Sequence, residues 1–183
     1  VVIGNPAAAE QFSLTLESNA GGRIHVNPGN HVVSGQEILF FEEGTVVELM
    51  AETPFEEAEK IGYICRFVDW EGDLDAEDGA FVTMDRDKYV AGRFVENPTL
   101  KVECEGGGRV LISSSLGNFE VDIDAGYTEM YVSEEEEITL TAQPYEGFCF
   151  SRWSGIPGGD ETLNPASFFI EEDCIVQAVF ISG

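Results

Sequence analysis

The stretch EITLTAQPYEGFCFSRWSG (residues 137–155) contains the features that decide the fold class. Its first six residues, EITLTA (137–142), alternate between apolar and polar side chains, which is typical of a half-buried β-strand. The aromatic segment FCFSRW (148–153) follows after a short turn and indicates a second strand. Many short strands separated by turn signals, with no sustained 3.6-residue period, predict an all-β protein.

The same features occur earlier in the chain. The recurring segments are EGFCFSRWSG (146–155) with IGYICRFVDWEG (61–72), GGRV (107–110) with GGRI (21–24), and CIVQAVF (174–180) with KYVAGRF (88–94). The offsets are 86 residues for the glycine pairs, 83 for the tryptophans and 86 for the final phenylalanines. A nearly constant period indicates two tandem copies of one structural unit. We expect an architectural or binding role, because a catalytic site has no evident reason to be duplicated along one chain.

The repeat divides the 183 residues into a linker and two small domains. We expect a linker at residues 1–11, a first β repeat at 12–97 and a second β repeat at 98–183. A domain of roughly 85 residues is large enough to fold alone. Each repeat is expected to be a small antiparallel β domain, either sandwich-like or β-grasp-like, with little or no helix.

Two local predictions concern the first repeat. The alternating strand FSLTLES (12–18) is followed by Ala20-Gly21-Gly22, which predicts a hairpin with RIHV (23–26). The segment PFEEAEKI (54–61) is the one short helix candidate, since Pro54 favours a helix start and strong helix formers follow it. The second repeat lacks this segment, so it is an insert.

The charge of the chain is extreme, with 35 acidic and 9 basic residues and a net charge of −26. Such a charge repels nucleic acid and anionic membrane surfaces, so neither is an expected partner. The acidity has three interpretations: a solvated exposed surface, adaptation to a high-salt habitat, or binding of divalent cations. The hydrophobic fraction of 43% excludes a disordered polymer.

No apolar run is long enough to insert into a membrane, and no secretory signal segment is recognisable. The chain begins at Val1 without a methionine. We therefore expect a part of a larger multidomain protein, and a monomer when the part is isolated.

The four cysteines, Cys65, Cys104, Cys149 and Cys174, lack the C-x-x-C spacing of zinc and thioredoxin-like sites. We favour a disulfide between Cys104 and Cys174, because both lie in the second repeat, near the end of its first strand and the start of its last. The alternative is half-buried thiols that behave as small apolar residues.

Trp70 and Trp153 recur at the same place in the two repeats, each preceded by an aromatic residue, Phe67 or Phe150. Exposed tryptophans would serve as stacking platforms for sugar rings, as in carbohydrate-binding modules. Buried tryptophans would be core anchors. We favour core anchors, because the same residue types return at the same place in each copy.

The loop DLDAEDG (73–79) resembles the start of a calcium loop, with four carboxylates: Asp73, Asp75, Glu77 and Asp78. Its glycine falls one place late for an EF-hand, and Met84 stands where the bidentate glutamate would be. We therefore expect a solvated acidic loop and keep calcium binding as the alternative.

Motifs for catalysis are missing from the sequence. His25 and His31 have no cysteine or serine motif nearby, RWSGIPGG (152–159) has no nucleophile elbow, and no phosphate-binding glycine loop is present. We expect no enzyme activity and no catalytic, cofactor-binding or metal-ligating residues.

Three motifs in order carry a family resemblance. They are EITLTAQP (137–144), GFCFSRWSG (147–155) and CIVQAVF (174–180) in the second copy, and VVELMAETP (46–54), FVDWEG (67–72) and FVTMDRDKYVAGRF (81–94) in the first. Together they resemble the divergent version of the internalin-B-type B repeat, a tandem β module of bacterial surface and secreted proteins. The resemblance implies extracellular or cell-surface display, a role as spacer or adhesion module, and no catalytic residues.

The sequence therefore predicts a non-catalytic tandem module of a bacterial cell-surface or secreted protein. It would act as a spacer or stalk, or as an adhesion unit that contacts a protein or glycan ligand. The alternatives are a carbohydrate-binding module of an extracellular enzyme and a spacer stiffened by calcium.

Overall fold

The computed structural model describes residues 9–58, 60–75, 80–122, 126–134 and 136–183, which form strands and no helix. The first ten strands are β1 Gln11–Ser18, β2 Arg23–Asn27, β3 His31–Val33, β4 Gln36–Glu42, β5 Val46–Glu52, β6 Phe55–Glu56, β7 Gly62–Tyr63, β8 Cys65–Gly72, β9 Phe81–Thr83 and β10 Lys88–Glu96. The other eight are β11 Thr99–Glu105, β12 Gly108–Ser114, β13 Gly117–Asp122, β14 Tyr127–Tyr131, β15 Ile138–Pro144, β16 Phe148–Ser154, β17 Ala166–Phe168 and β18 Cys174–Ser182. The all-β prediction is confirmed.

The helix predicted at 54–61 is wrong. The segment instead begins a small hairpin in which β6 pairs with β7 in antiparallel fashion. The rings of Phe55 and Tyr63 meet edge to face, with their centroids 5.0 Å apart. Such a short helix is marginal by itself, so this pairing and the contacts of the neighbouring Ile61 outweigh the helix propensity.

The chain forms two compact units. One contains the described part of residues 1–54 together with residues 64–96, and the other contains residues 55–63 together with 97–183. Residues 55–63, which the sequence places inside the first repeat, therefore lie in the second unit. The bounds predicted for the linker and the two repeats stay a prediction.

The two units have the same strand order. The first has two four-stranded sheets, β4-β1-β10-β8 and β3-β2-β5-β9, and the second has β14-β11-β18-β16 and β13-β12-β15-β17. Each strand of the two four-stranded sheets in the second unit occupies the place of one strand in the first, beginning with β11 for β1 and ending with β18 for β10. In both units the first and last strands pair in parallel, and every other pairing of the four large sheets is antiparallel.

The predicted hairpin of β1 with β2 does not form. Strand β1 pairs with β4 and β10, whereas β2 pairs with β3 and β5 in the other sheet. The chain crosses between the sheets at Ala20 and Gly21, which both have positive φ angles. Gly22 follows where the ring of Phe94 leaves no space for a Cβ atom. A glycine-rich stretch thus marks a corner between sheets here and not a two-residue hairpin turn.

The core of each unit lies between its two sheets. In the first unit Leu14 and Leu16 of β1 pack with Ile24 and Val26 of β2, and all four are almost completely buried. In the second unit Leu100 and Val102 of β11 pack in the same way with Val110 and Ile112 of β12. Each unit is therefore a β-sandwich, which decides between the two predicted architectures.

Candidate binding surfaces

Trp153 is a core residue. Its side chain on β16 is 0% exposed, and its indole Nε1 donates a hydrogen bond of 2.8 Å to the carbonyl oxygen of Leu163. Its ring lies 5.1 Å from that of Phe150, with an angle of 55° between the planes. A buried indole cannot stack on a sugar, so the platform interpretation is wrong for Trp153 and the core-anchor interpretation is confirmed.

Trp70 holds the corresponding position on β8 in the first unit. Its ring centroid lies 5.1 Å from that of Phe67, again at 55°, and the indole packs half-buried against the core. The two Phe–Trp pairs thus have the same geometry in both units. This agreement supports a structural role for both tryptophans.

The acidic loop after β8 is only partly described. Glu77 and Asp78 lie outside the described residues. Both carboxylate oxygens of Asp73 accept hydrogen bonds, one from the Arg86 guanidinium at 3.0 Å and one from the Tyr89 backbone N–H at 3.0 Å. The bond from Tyr89 is the main reason why the pKa of Asp73 lies below its ordinary value. Asp73 therefore ties this loop to the start of β10 through protein donors.

Asp75 also binds a protein donor, since its Oδ2 accepts a hydrogen bond of 2.6 Å from the hydroxyl of Thr83. Across the described ranges no group of three or more histidine, cysteine, aspartate or glutamate side chains is arranged to hold a metal ion. The carboxylates of Asp73 and Asp75 thus act as anchors of a loop in the described structure.

The favoured disulfide between Cys104 and Cys174 is wrong. All four cysteines are among the described residues, and none forms a disulfide. The parallel register of β11 and β18 pairs Cys174 with Leu100, and it pairs Cys104 with Ala178. Four residues of strand separate the two cysteines, or about 13 Å, whereas a disulfide needs Cα atoms within about 7 Å. The sequence placed both residues at strand ends but did not give the direction of the pairing.

Cys174 lines an open cavity of about 740 Å³ in the second unit, together with Glu171 and Glu172. Burial, with added repulsion from the charges of Asp173 and Glu172, raises the pKa of the Cys174 thiol to about 11. The thiol is therefore protonated at neutral pH and is a poor nucleophile. The cavity offers a carboxylate-lined surface without an activated group for chemistry.

The two histidines lie on the first unit and contact carboxylates. His25 on β2 bonds to Glu52 on β5, and His31 bonds to Glu37 with 2.9 Å between Nε2 and Oε1. His25 also lines a shallow cavity of about 290 Å³ with Glu48 and Met50. The two imidazoles thus bind separate carboxylates, so the described residues do not assemble them into one centre.

The outer face of the sheet β3-β2-β5-β9 is unusually apolar. Val32 and Met50 flank His25 across the sheet, and Phe81 lies opposite Glu48. Met50 is 62% exposed, and Val32 and Phe81 are also largely exposed. Exposed apolar side chains beside polar ones make this face a candidate contact surface.

A second apolar group lies on the sheet β4-β1-β10-β8. Ile38 and Tyr89 flank Thr15 in one row across the sheet, and Phe40 lies beside Ser13 in the next. Ile38 and Phe40 lie in the segment EILFF (37–41) and were not singled out from the sequence. The adjacent phenylalanines Phe40 and Phe41 carried the signal, since neighbours in a strand point to opposite faces and one of two must face outward.

Within the described residues no helix has the length and apolar character needed to cross a membrane. A family model described as "Divergent InlB B-repeat domain" matches residues 120–183. No curated protein matches the chain.

Solved structures with a similar course of the chain are pilus proteins. The shaft pilin spaA from Lactobacillus rhamnosus GG shares 9% identity over 96% of this chain and 98% of its own, with a TM-score of 0.40. The major pilin protein T-13 from Streptococcus pyogenes shares 8% identity over 96% of this chain and 98% of its own, with a TM-score of 0.37. The likeness is distant. The family model confirms, over residues 120–183, the resemblance to the divergent InlB B-repeat domain that the sequence motifs indicated.

Proposed function

We propose that this chain is a non-catalytic two-unit β module, displayed at the surface of a bacterial cell or secreted from it, that serves as a spacer within a larger protein. One observation carries the proposal. The unit that contains the matched residues 120–183 and the unit that precedes it have the same strand order and the same Phe–Trp packing. We infer that the first unit is a second copy of the same domain, and serial copies of a small fold extend a chain.

The side chains with reactive groups have structural roles in this proposal. Asp73 and Asp75 anchor a loop, the thiol of Cys174 is protonated, and the two histidines bind separate carboxylates. None of these groups forms the arrangement of nucleophile, base and orienting group that acyl transfer and hydrolysis require.

The charge of −26 fits the same proposal. A strongly acidic surface keeps an exposed module soluble and repels polyanions, so a protein or a glycan is the class of ligand we expect. Adhesion is a second candidate function, favoured by the exposed Met50, Val32 and Phe81 on the outer face of β3-β2-β5-β9. It would use that face as the contact surface.

Surface display is tested on intact cells of the source organism with an antibody raised against the folded two-unit chain. We expect the antibody to label unpermeabilised cells or to recover the protein from the medium, and we expect brief protease treatment of intact cells to remove the cell-bound signal. Labelling that appears only after permeabilisation would overturn the location.

Adhesion is tested separately with the full chain on an array of glycans and on immobilised extracellular-matrix proteins. The double variant Met50→Ser/Phe81→Ser should lose binding if the outer face makes the contact. The double variant Ile175→Ser/Ile181→Ser, which changes exposed residues of the second unit, is the matched control. Equal binding by wild type and both variants would exclude the proposed face as the contact surface. If none of the three proteins binds, the adhesion candidate is excluded and the spacer role remains.

A further inference from the structure

Strands β4 and β14 occupy equivalent places in the two units, at the edge of the sheet that contains the first and last strands. The registers align them residue by residue. Leu14 pairs with Leu39 and Lys88, and Leu100 pairs with Met130 and Cys174. Leu39 is therefore equivalent to Met130, and the neighbours Ile38 and Phe40 are equivalent to Glu129 and Tyr131.

The outer edge of β14 is covered by residues 60–62, where the inserted segment ends and β7 begins. The N–H of Ile61 donates to the carbonyl oxygen of Glu129 at 3.2 Å, and the N–H of Tyr131 donates to the carbonyl oxygen of Ile61 at 2.8 Å. Ile61 thus adds a short parallel bridge beside Met130. The insert satisfies backbone groups that an edge strand would otherwise present to solvent.

Side chains of the insert strengthen this contact. The Nζ of Lys60 lies 2.8 Å from Oε1 of Glu129 and 5.6 Å from the centre of the Tyr131 ring. Gly62 follows with a φ of +127°, and a Cβ atom there would lie only 2.7 Å from the carbonyl oxygen of Tyr131. The sequence Lys-Ile-Gly is therefore suited to lie against an aromatic residue on an edge strand.

The equivalent edge of β4 presents the same backbone groups. The N–H of Ser13 donates to Asp87 at 2.8 Å, on the side of β1 that faces β10. Ser13 and its antiparallel partner Phe40 are therefore a non-hydrogen-bonded pair, so the N–H and C=O of Phe40 point away from β1. The second unit has the same arrangement, with Thr99 donating to Asp173 at 2.7 Å opposite Tyr131.

No strand among the described residues pairs with this side of β4. Phe40 is 66% exposed and Ile38 is 55% exposed, whereas the equivalent Tyr131 and Glu129 are partly covered. Natural proteins blunt exposed edge strands with charge, proline or a covering segment. The two central exposed positions of β4, Ile38 and Phe40, are instead apolar, which suits an edge that is covered by another strand.

We infer that the outer edge of β4 binds a short extended segment of the same kind as residues 60–62, supplied by another unit of this repeat. The residue in the place of Ile61 donates its N–H to the carbonyl of Ile38 and accepts from the N–H of Phe40. A basic residue in the place of Lys60 lies over the Phe40 ring, with its aliphatic stem on Ile38. This inference rests on the proposed equivalence of the two units and not on the proposed location at the cell surface.

The experiment supplies the segment at high effective concentration. A second copy of residues 54–64 is fused ahead of the full chain through a Gly/Ser linker of about 15 residues, which spans roughly 20 Å. Hydrogen exchange at individual amides is then measured by NMR. We expect hydrogen exchange of the Phe40 amide to slow on the order of tenfold, because this amide gains a hydrogen-bond acceptor. The exchange rate of the Tyr131 amide should not change. The matched control carries Ile61→Pro in the added copy only, which removes the donating N–H, and should exchange like the unfused chain.

Four results would overturn the inference. The first is unchanged exchange at Phe40 in the fusion, and the second is equal slowing with the proline control. The third is slow hydrogen exchange of the Phe40 amide in the unfused chain that becomes fast when residues 1–8 are deleted. This result would show that the N-terminal segment covers the edge of β4. The fourth is hydrogen exchange of the Phe40 amide that slows as the concentration of the unfused chain is raised. This result would show that β4 of a second molecule covers the edge. Failure of antibody labelling on intact cells would leave all these readouts unchanged.

Discussion

The indole of Trp153 donates its only N–H to the carbonyl oxygen of Leu163 at 2.8 Å, inside a core where the side chain is 0% exposed. The bond ties β16 to the loop that precedes β17 in the second unit. A buried tryptophan contributes through both its large apolar area and its polar atom, and removal of its N–H leaves the Leu163 carbonyl without this donor.

Replacement of Trp153 by phenylalanine should therefore lower the free energy of unfolding by about 2 kcal/mol or more, from the lost hydrogen bond and the cavity left by the smaller ring. The matched variant is Trp70→Phe in the first unit, where the indole is half-buried and the loss should be smaller. Urea unfolding followed by circular dichroism measures both. Equal losses would contradict the distinction between the two sites.

A second prediction concerns Gly108, whose missing side chain makes room for the Phe180 ring. A Cβ atom at residue 108 would clash with the ring of Phe180, which is 4% exposed and cannot move out of the core. We expect Gly108→Ala to cost about 1–3 kcal/mol through overpacking. The double variant Gly108→Ala/Phe180→Leu should lose less than the sum of the two single variants, because they share one contact. Additive losses in thermal unfolding would contradict the proposed clash.

The sequence was sufficient for the parts of the fold that depend on local pattern. Alternation in EITLTA predicted β15, and the recurring aromatic segments predicted that Trp153 is a core residue. The pairing of strands was not accessible in this way. Nothing in the sequence of β1 states that it pairs in parallel with β10, and the glycines before β2 are compatible with a hairpin or with a corner between sheets. Leu14 and Ile24 belong to one buried cluster between the two sheets, a tertiary arrangement that the pattern within a single strand does not encode.

The same limit applies to the candidate surfaces. The disulfide between Cys104 and Cys174 was plausible from strand ends but fails on register. The insert was recognised as a difference between the repeats, yet its length and composition suggested a helix. Its role became visible only when Ile61 was found hydrogen-bonded to the backbone of Glu129 and Tyr131. Such a contact depends on tertiary position, which a pattern of residues within one segment cannot encode.

A third prediction concerns the reactivity of the thiols. Cys149 is exposed, whereas burial raises the pKa values of Cys65 and Cys174, the latter to about 11. Iodoacetamide at neutral pH should therefore modify Cys149 in the native protein and reach Cys65 and Cys174 only after unfolding, because the thiolate is the reactive species. Peptide mass spectrometry of native and urea-unfolded samples measures the order. Recovery of a Cys104–Cys174 disulfide from the natively folded, oxidised protein would contradict the strand register.

A fourth prediction concerns acid stability. The carboxylates of Asp87 and Asp173 accept hydrogen bonds from the backbone N–H groups of Ser13 and Thr99, and these bonds hold both pKa values below the ordinary value of 3.8. Because each pKa is lower in the folded than in the unfolded chain, the stabilisation is complete above about pH 3.8 and is lost as the pH falls through the folded values. The midpoint of thermal unfolding should therefore fall as the pH is lowered through this range.

The variants Asp87→Asn and Asp173→Asn separate the two units. An asparagine oxygen still accepts the hydrogen bond but does not titrate, so each variant should be less stable than wild type at pH 6 and should lose less stability on acidification. The double variant should show the flattest pH profile. Glu146→Gln, at an exposed carboxylate, is the matched control and should keep the wild-type profile. An unchanged pH dependence in the double variant would show that the carboxylates at the starts of β10 and β18 do not contribute to acid lability, and that other groups of this acidic chain account for it.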